Sequence, residues 1–277
     1  MPKRGFPSPI APGPIAAYYD DAILYDYHHR HYRRDLAFYA ALARQAKGPL
    51  LELGCGTGRL TLPMAREGTR IVAVDINPNL LDRLRRKLSQ KTNGDLAERI
   101  EIVEADIAAL DLGRRFPIVL MPFNTLMHFY DPPAIEAALA TAKRHLASQG
   151  RFVFDVLNPD LEYLAESTGK ADGAERVVHP KYKRPYWFSP ANVYDAAAQI
   201  NYAYHRYRRI GRGPGPKEET VVLKQRQFFP AELDAYISRA GFDLVVKYGD
   251  FAGRPFWGRA AVMICVCARA EEAGEPR

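Results

Sequence analysis

The sequence predicts an α/β protein whose core is a mostly parallel, doubly wound sheet. Short apolar runs rich in β-branched residues alternate with amphipathic helical stretches as far as residue 157. The first of these runs ends in a glycine turn that opens a helix, and the alternation resumes after residue 228. This alternation is typical of parallel strands joined by crossover helices. We therefore expect one α/β core that is interrupted by an insertion.

Each element of the core follows from its own run of residues. Besides the run that begins at Leu50, strands are predicted at residues 70–75, 100–104, 117–122, 150–156, 242–248 and 259–268. Helices are predicted at residues 79–91, 133–147 and 230–240. The loop between the last two strands is too short for a crossover helix, so these strands should form an antiparallel hairpin.

The glycine turn at residues 54–58 is the most specific motif. A dinucleotide fingerprint is excluded because Arg59 or Thr61 stands where G-x-G-x-x-G needs its last glycine. A phosphate-binding P-loop is excluded because Gly58 is followed by Arg59 and Leu60 rather than by Lys and Ser or Thr. What remains is E-x-G-x-G-x-G, a turn whose backbone can closely approach a nucleotide-like ligand.

This motif resembles the first motif of the class I S-adenosylmethionine-dependent methyltransferases. The resemblance covers about residues 35–157 and 228–270, and it implies a seven-stranded sheet with an antiparallel terminal hairpin. It also implies that S-adenosyl-L-methionine is the cofactor and S-adenosyl-L-homocysteine the product. The residues of the turn that would bind the cofactor are Glu52, Gly54, Cys55, Gly56 and Gly58.

Polar residues follow the next three strands in the same way. Asp75 ends the second strand, where one carboxylate can accept hydrogen bonds from both hydroxyls of a ribose. The resemblance places Ile76 against the adenine, and Asp106 and Ile107 beside its edge. It places Asn124 and Thr125 beside the methionine part and His128 near the transferred methyl group.

Composition limits the class of protein. The 277 residues carry 39 Lys and Arg against 32 Asp and Glu, a formal charge of +7 that is largely dispersed along predicted helix faces. The run between Arg83 and Lys91 is expected to be such a solvated face. The sequence has no common nucleic-acid-reading motif, and residues 1–17 are proline-rich without the apolar centre of a signal peptide. A cytoplasmic protein is expected, with neither nucleic acid nor membrane as partner.

The three cysteines offer neither a disulfide framework nor a metal-ligand cluster, and no metal is expected. Cys55, Cys265 and Cys267 should behave as small buried apolar residues.

Two tyrosine-rich segments flank the cofactor motifs. Six of the 16 tyrosines lie between residues 18 and 39, and six lie between residues 182 and 207. Tyr18, Tyr25, Tyr32 and Tyr39 recur every seven residues, which predicts one helical stripe that either packs on the core or closes over the crevice. Alternation over residues 199–210 and 220–229 predicts a hairpin, hence a small antiparallel insertion.

The predicted organisation has six segments. They are a disordered or extended segment (1–17), a helical lid (18–47), the cofactor-binding core (48–157), the antiparallel insertion as substrate lid (158–227), the end of the core (228–270) and a tail (271–277). Tyr18, Tyr19 and Tyr25 are the candidates in the lid for contact with the cofactor.

The predicted reaction is methyl transfer to a nitrogen or oxygen of a small molecule, with an amine favoured. His128, Tyr202, Tyr204 and His205 are the candidates that accept a proton or orient the acceptor. Basic residues near residue 181 and at residues 206 and 208 would suit an anionic substrate. RNA or protein methylation and non-catalytic cofactor binding remain alternatives, and a homodimer remains open.

Overall fold

The computed structural model describes residues 15–166 and 173–270, which form two compact units. The insertion unit comprises Met1–Arg30 and Asp160–Gln227, and the core unit comprises His31–Pro159 and Phe228–Arg277. The predicted tail at 271–277 and most of the predicted N-terminal segment at 1–17 lie outside the described residues. Within that segment, Ile15–Ala17 forms a short strand.

The described residues form twelve strands and seven α-helices. The strands are β1 (Ile15–Ala17), β2 (Leu50–Leu53), β3 (Ile71–Asp75), β4 (Ile100–Glu104), β5 (Phe116–Met121), β6 (Leu146–Leu157), β7 (Glu175–Val178), β8 (Pro185–Asp195), β9 (Ile200–Arg209), β10 (Glu218–Arg226), β11 (Phe242–Tyr248) and β12 (Val262–Arg269). The helices are α1 (Ala22–His29), α2 (Leu36–Gln45), α3 (Thr61–Arg66), α4 (Pro78–Leu88), α5 (Pro132–His145), α6 (Leu161–Ala165) and α7 (Pro230–Arg239).

The core unit is built on a seven-stranded sheet in the order β11-β12-β6-β5-β2-β3-β4. Strands β2 to β6 are parallel, whereas β12 runs antiparallel to β6 and β11 antiparallel to β12. The predicted fold class is therefore confirmed. Because β3 lies on one side of β2 and β5 on the other, the strand order reverses at β2. In open α/β sheets, ligands bind beyond the carboxyl ends of the strands at such a reversal.

The central strands are buried on both faces, which explains their continuous apolar runs. In β3, Val72 and Val74 face one hydrophobic cluster while Ile71 and Ala73 face the other. The three cysteines are buried and free, as predicted for small apolar residues. Among the described residues, no helix has both the length and the hydropathy needed to cross a membrane.

The insertion unit contains a five-stranded sheet in the order β1-β10-β9-β8-β7. The predicted hairpin is confirmed as β9 and β10, which pair antiparallel. Strands β7 and β8 extend the antiparallel part, and β1 adds in parallel to β10. Prolines hid β8 from sequence analysis, because proline cannot donate to a strand ladder. Pro190 is tolerated since β7 pairs only with residues 185–188, which leaves β8 as an edge at residue 190.

The prediction of one helical tyrosine stripe is wrong. Tyr18 precedes α1, and Tyr32 lies between α1 and α2. The Asp21 side chain starts α1 because its carboxylate accepts from the backbone N–H groups of Ile23 and Leu24, at 2.9 and 3.1 Å. The seven-residue spacing therefore does not bring these tyrosines onto a single helix face.

Candidate active site

The glycine turn after β2 needs glycine for both its conformation and its packing. Gly54, Gly56 and Gly58 have φ of 81°, 55° and 79°, in the left-handed region that favours glycine. A Cβ atom on Gly54 would lie 2.5 Å from the side chain of Thr125, and one on Gly58 would lie 2.4 Å from Leu84 Cδ1. A side chain at either position would force these neighbours to move.

Asp75, at the end of β3, fastens the turn to the neighbouring strand. Its Oδ2 accepts from the N–H of Gly56 at 2.8 Å, and its Oδ1 accepts from the N–H of Asn77 at 2.9 Å. Burial raises the pKa of Asp75, while these two backbone hydrogen bonds oppose the shift. Each carboxylate oxygen has a second lone pair, so Asp75 can still accept from a ligand hydroxyl.

Glu52 lies inside the core unit rather than on its open edge. Its side chain is buried, and Oε2 accepts from the hydroxyl of Thr61, in α3, at 2.6 Å. Burial raises the pKa of Glu52 to about 8, so this carboxyl is mostly protonated at neutral pH. Cys55 is also buried, and burial raises the pKa of its thiol. Both residues are therefore placed to support the turn from within.

A lysine of α4 contacts the same turn. Lys87 donates from Nζ to the carbonyl oxygen of Thr57 at 2.9 Å and to its hydroxyl oxygen at 3.0 Å. The expectation that the basic run of this helix is merely a solvated face is thus wrong for Lys87. A contact between residues 30 positions apart leaves no local signal in the sequence.

The ends of β3 and β4 present one exposed apolar and one exposed acidic side chain. Ile76 is 62% exposed, which is unusual for a large apolar residue that follows a buried strand. Asp106 is exposed, and its Oδ1 accepts from the N–H of Ala108 at 2.9 Å, whereas Ile107 is buried. Exposed apolar and acidic groups of this kind suit the face and the amino edge of a purine.

The segment after β5 has an unusual backbone. Phe123 and Asn124 have φ of 55° and 64°, although neither is glycine. Asp155, in β6, accepts from the N–H of Phe123 at 2.8 Å, from the N–H of Asn124 at 3.3 Å and from the hydroxyl of Tyr39. Burial raises the pKa of Asp155 to about 6, opposed by the hydrogen bond from Tyr39.

The side chains that follow complete this end of the sheet. The Oδ1 atom of Asn124 is buried without a hydrogen-bond partner among the described residues. The hydroxyl of Thr125 donates to the carbonyl of Pro122 at 2.7 Å, and His128, partly buried, closes the short 3-10 helix that Thr125 opens.

An ion pair lies beside Phe123. Arg59 donates to both carboxylate oxygens of the fully buried Asp35, at 2.9 and 2.5 Å. The guanidinium carbon of Arg59 lies 3.9 Å from the centre of the Phe123 ring, and the Tyr32 ring packs on Phe123 with a centroid separation of 5.3 Å. Sequence analysis missed Asp35, Arg59 and Asp155. For Asp155, the one local signal was the presence of an acid inside the apolar run of β6.

The insertion unit gathers its tyrosine candidates with histidines that sequence analysis did not name. The buried Tyr18 hydroxyl lies 2.9 Å from His28 Nδ1 and 3.0 Å from His29 Nε2, and its ring packs edge-on against Tyr19 and Tyr25. A further hydrogen bond joins His28 Nε2 to the hydroxyl of Tyr207. These contacts make a continuous polar chain inside an aromatic cluster, which comprises Tyr18, Tyr19, Tyr25, His28, His29, His205 and Tyr207.

The candidates in β9 do not converge. His205 belongs to the aromatic cluster, with its ring 4.8 Å from that of His28, and burial lowers the pKa of His205 to about 4. Tyr202 and Tyr204 point to the opposite face of the strand, since side chains alternate along β9. The three residues therefore cannot act as one catalytic group, whereas His128 belongs to the core unit.

The ends of β4, β3, β2 and β5 together fit a nucleoside that carries an amino-acid tail. The carboxylates of Asp106 and Asp75 lie on one side of the glycine turn and the buried amide oxygen of Asn124 on the other. Gly54, Gly56 and Gly58, all at positive φ, leave the turn without side chains, so a ligand can approach its backbone closely. In the part of the chain that the structure describes, no cluster of three or more His, Cys, Asp or Glu could hold a metal ion.

Comparison with known proteins agrees with this arrangement. Residues 50–150 match the family model described as a methyltransferase domain. The cypemycin N-terminal methyltransferase of a Streptomyces species is 28% identical over 221 residues, which cover 79% of this chain and 82% of that protein. The structure of the CcbJ methyltransferase from Streptomyces caelestis is similar with a TM-score of 0.72 and 29% identity, over 92% of this chain and 99% of that one.

A ribosomal RNA methyltransferase is also similar. The small subunit methyltransferase A of Anaeromyxobacter dehalogenans is 39% identical over 222 residues, which cover 75% of this chain and 66% of that protein.

Replacing Asp75 by Asn should weaken S-adenosylmethionine binding by about 10- to 100-fold, the cost of losing a hydrogen bond to a charged group. The NH₂ group of the asparagine would also face the N–H of Gly56 or that of Asn77, so two donors would meet and one hydrogen bond would be lost. Isothermal titration calorimetry measures this, with Asp82→Asn in the exposed surface of α4 as the matched control. Equal affinity in the two variants would contradict the assignment of Asp75.

Stability should fall with rising pH because of Glu52. Folding raises its pKa from 4.5 to about 8, so this contribution to stability is complete below pH 4.5 and is lost as the pH rises towards 8. The slope is at most about 1.4 kcal/mol per pH unit. In urea unfolding between pH 5 and 8, the free energy of unfolding should fall less steeply with pH in Glu52→Gln than in the wild type. The exposed control Glu98→Gln should follow the wild type, and three equal slopes would refute the prediction.

Proposed function

The chain is a class I S-adenosylmethionine-dependent methyltransferase, and we propose that it methylates the nitrogen of a small-molecule amine. The observation that carries the proposal is the series of cofactor-suited groups along the ends of four adjacent strands, from Asp106 through Asp75 and the glycine turn to Asn124. The choice of nitrogen is supported by the N-terminal methyltransferase of Streptomyces, which is similar over most of both chains.

When bound, S-adenosylmethionine supplies a methyl group on a positively charged sulfur. An amine nitrogen held in line with that methyl group would form the new carbon–nitrogen bond as the carbon–sulfur bond broke, with S-adenosylhomocysteine as the product. The role of the chain is to hold the two reactants in line, which can supply much of the rate enhancement of such a displacement. A neutral amine needs no strong base for attack, and the proton of the methylated ammonium can pass to water.

Residue roles follow from the strand ends. We assign the ribose to Asp75, the adenine to Ile76, Asp106 and the backbone of Ile107, and the amino-acid end to Asn124 and Thr125. Gly54, Gly56 and Gly58 provide the close backbone surface, while Glu52 and Cys55 support it from below. Among the candidates for contact with the acceptor, His128 ends the same short 3-10 helix that Thr125 begins, so it is the first to test.

The insertion unit is proposed to select the acceptor. Tyr18 and Tyr25 are buried against each other, whereas Tyr19 keeps part of its surface and is the better candidate of the three for a cofactor or acceptor contact. An anionic acceptor, a cytoplasmic location and a homodimer are further parts of the proposal. Among the basic residues, Lys181 is the least suited to bind an anion, because its Nζ lies 3.0 Å from a carboxylate oxygen of Asp21 and already pairs with that charge.

RNA methylation is the second candidate function. It is favoured by the 39% identical ribosomal RNA methyltransferase and by the positive net charge. Methylation of a peptide amino terminus is the form of protein methylation that the Streptomyces relative favours. A cofactor-binding module without catalysis would bind S-adenosylmethionine and form no methylated product.

Incubation with S-adenosylmethionine that carries a deuterated methyl group separates these functions. We expect mass spectrometry to find the label on amines of a metabolite extract or a peptide panel, and not on ribosomal RNA or on matched alcohols. Asp75→Asn should lose the labelled product at cofactor concentrations that saturate the wild type. Labelled RNA without labelled amines would replace the proposal with the second candidate. No labelled product from any pool would indicate the non-catalytic module.

A further inference from the structure

The segment that follows β5 adopts a backbone conformation that its own residues disfavour. Phe123 and Asn124 are consecutive and both left-handed, at φ of 55° and 64°. Asn tolerates this conformation, but it is unusual for a bulky residue such as Phe. Strained backbone of this kind persists only where the surrounding structure holds it, and it is concentrated at functional sites. The group that holds this segment is therefore of functional interest.

Asp155 is that group. Two consecutive N–H groups, of Phe123 and Asn124, point at its carboxylate, at 2.8 Å to Oδ1 and 3.3 Å to Oδ2. Its side chain comes from β6, the strand next to β5, and is 2% exposed. The Tyr39 hydroxyl donates to the same Oδ1 atom. A buried carboxylate that accepts from two adjacent backbone donors fixes the direction of both peptide groups.

The side chain of Phe123 is held independently. Its ring stacks on the guanidinium of Arg59, which is itself fixed by two hydrogen bonds to the buried Asp35. The ring of Tyr32 packs against it as well. Phe123 is thus fixed by its backbone to Asp155 and by its ring to Arg59, so the next residues, Asn124 and Thr125, begin from a fixed position.

Residues 123–125 lie on one side of the glycine turn, and Asp75 and Asp106, which we assign to the nucleoside, lie on the other. Thr125 lies against Gly54, where a Cβ would come within 2.5 Å of its side chain. Asp75 and Asp106 end β3 and β4, on the opposite side of β2. A ligand whose ribose lies at Asp75 would therefore extend its other end towards residues 123–125.

We propose that Asp155 is a positioning residue that presents residues 123–125 to the amino-acid end of S-adenosylmethionine. This inference rests on the proposed function through the cofactor alone, because it needs no particular acceptor. Asp155 acts through the backbone N–H groups that it holds, and the side chains of Asn124 and Thr125 make the contacts. The buried, unpartnered Oδ1 of Asn124 is the group that this geometry leaves available for an ammonium group.

The isosteric variant Asp155→Asn tests the carboxylate. In either orientation of the amide, its NH₂ group faces the N–H of Phe123 or that of Asn124, so one of the two backbone bonds is lost. We expect affinity for S-adenosylhomocysteine to fall by about 10- to 100-fold. Affinity for methylthioadenosine, which has the same nucleoside but no amino-acid end, should stay within about twofold, because Asp75 and the glycine turn are unchanged.

These affinities are measured by isothermal titration calorimetry, and two control variants make the result specific. Val153→Ala lies two residues from Asp155 on the same face of the strand, in the hydrophobic cluster that contains Tyr39, and should lower stability without changing the ratio of the two affinities. Asp75→Asn should lower both affinities together. An equal loss for the two ligands in Asp155→Asn, or no loss for either, would overturn the proposal. These assays contain no acceptor, so failure of the proposed amine methylation would not affect them.

A second measurement uses the wild-type protein and therefore does not depend on the folding of a variant. Hydrogen exchange at the amides of Phe123 and Asn124 should slow further when S-adenosylhomocysteine binds, because contact with residues 124 and 125 opposes local opening. Saturating methylthioadenosine should leave their exchange unchanged. Equal slowing by the two ligands would place the segment outside the contact with the amino-acid end and would overturn the proposal.

Discussion

The candidate site depends on buried carboxylates that accept hydrogen bonds from backbone N–H groups at the strand ends. Asp75 holds the N–H of Gly56, and Asp155 holds those of Phe123 and Asn124. At both places the chain leaves a parallel strand in a left-handed conformation, which exposes peptide groups that the sheet no longer satisfies. Without these acceptors neither turn would have a fixed shape, and the edge of the sheet could not present a preformed surface to a ligand.

The same carboxylates carry a cost. Burial raises the pKa of Asp75 and Asp155, which means that the folded core disfavours their charged forms. Hydrogen bonds to charged groups contribute about 1.5 to 3 kcal/mol each and offset part of this desolvation. Removing one acceptor would leave buried N–H groups without partners, which costs more than the bond itself contributes. The strand ends are therefore rigid, but their stability depends on each buried acceptor being present, as expected where function and stability compete.

Local patterns predicted the sheet and the glycine turn after β2. The spacing of Gly54, Gly56 and Gly58 and the acid that ends β3 are signals within a few residues, and the strands are continuous apolar runs. The residues that support the site could not be found in this way. Arg59 pairs with Asp35 24 residues away, and Tyr39 with Asp155 116 residues away, so only the fold brings them together.

In the N-terminal segment, by contrast, a regular local pattern led to a wrong prediction. The spacing of Tyr18 to Tyr39 matches a helix, but the Asp21 cap and the turn before α2 divide the segment. Strand β7 has only four residues, and β8 contains prolines, so period-two alternation revealed only β9 and β10. The histidines of the aromatic cluster carried no motif at all. Their grouping depends on the pairing of β8, β9 and β10 and on the position of α1.

A crystal structure of the protein with S-adenosylhomocysteine would locate both ends of the ligand at once. We expect the ribose hydroxyls within hydrogen-bond distance of the Asp75 carboxylate. The amino-acid end should lie at Asn124 and Thr125, with the backbone of Phe123 and Asn124 still bonded to Asp155. A ligand lying in the reverse direction, or one that leaves residues 123–125 without contact, would contradict these assignments.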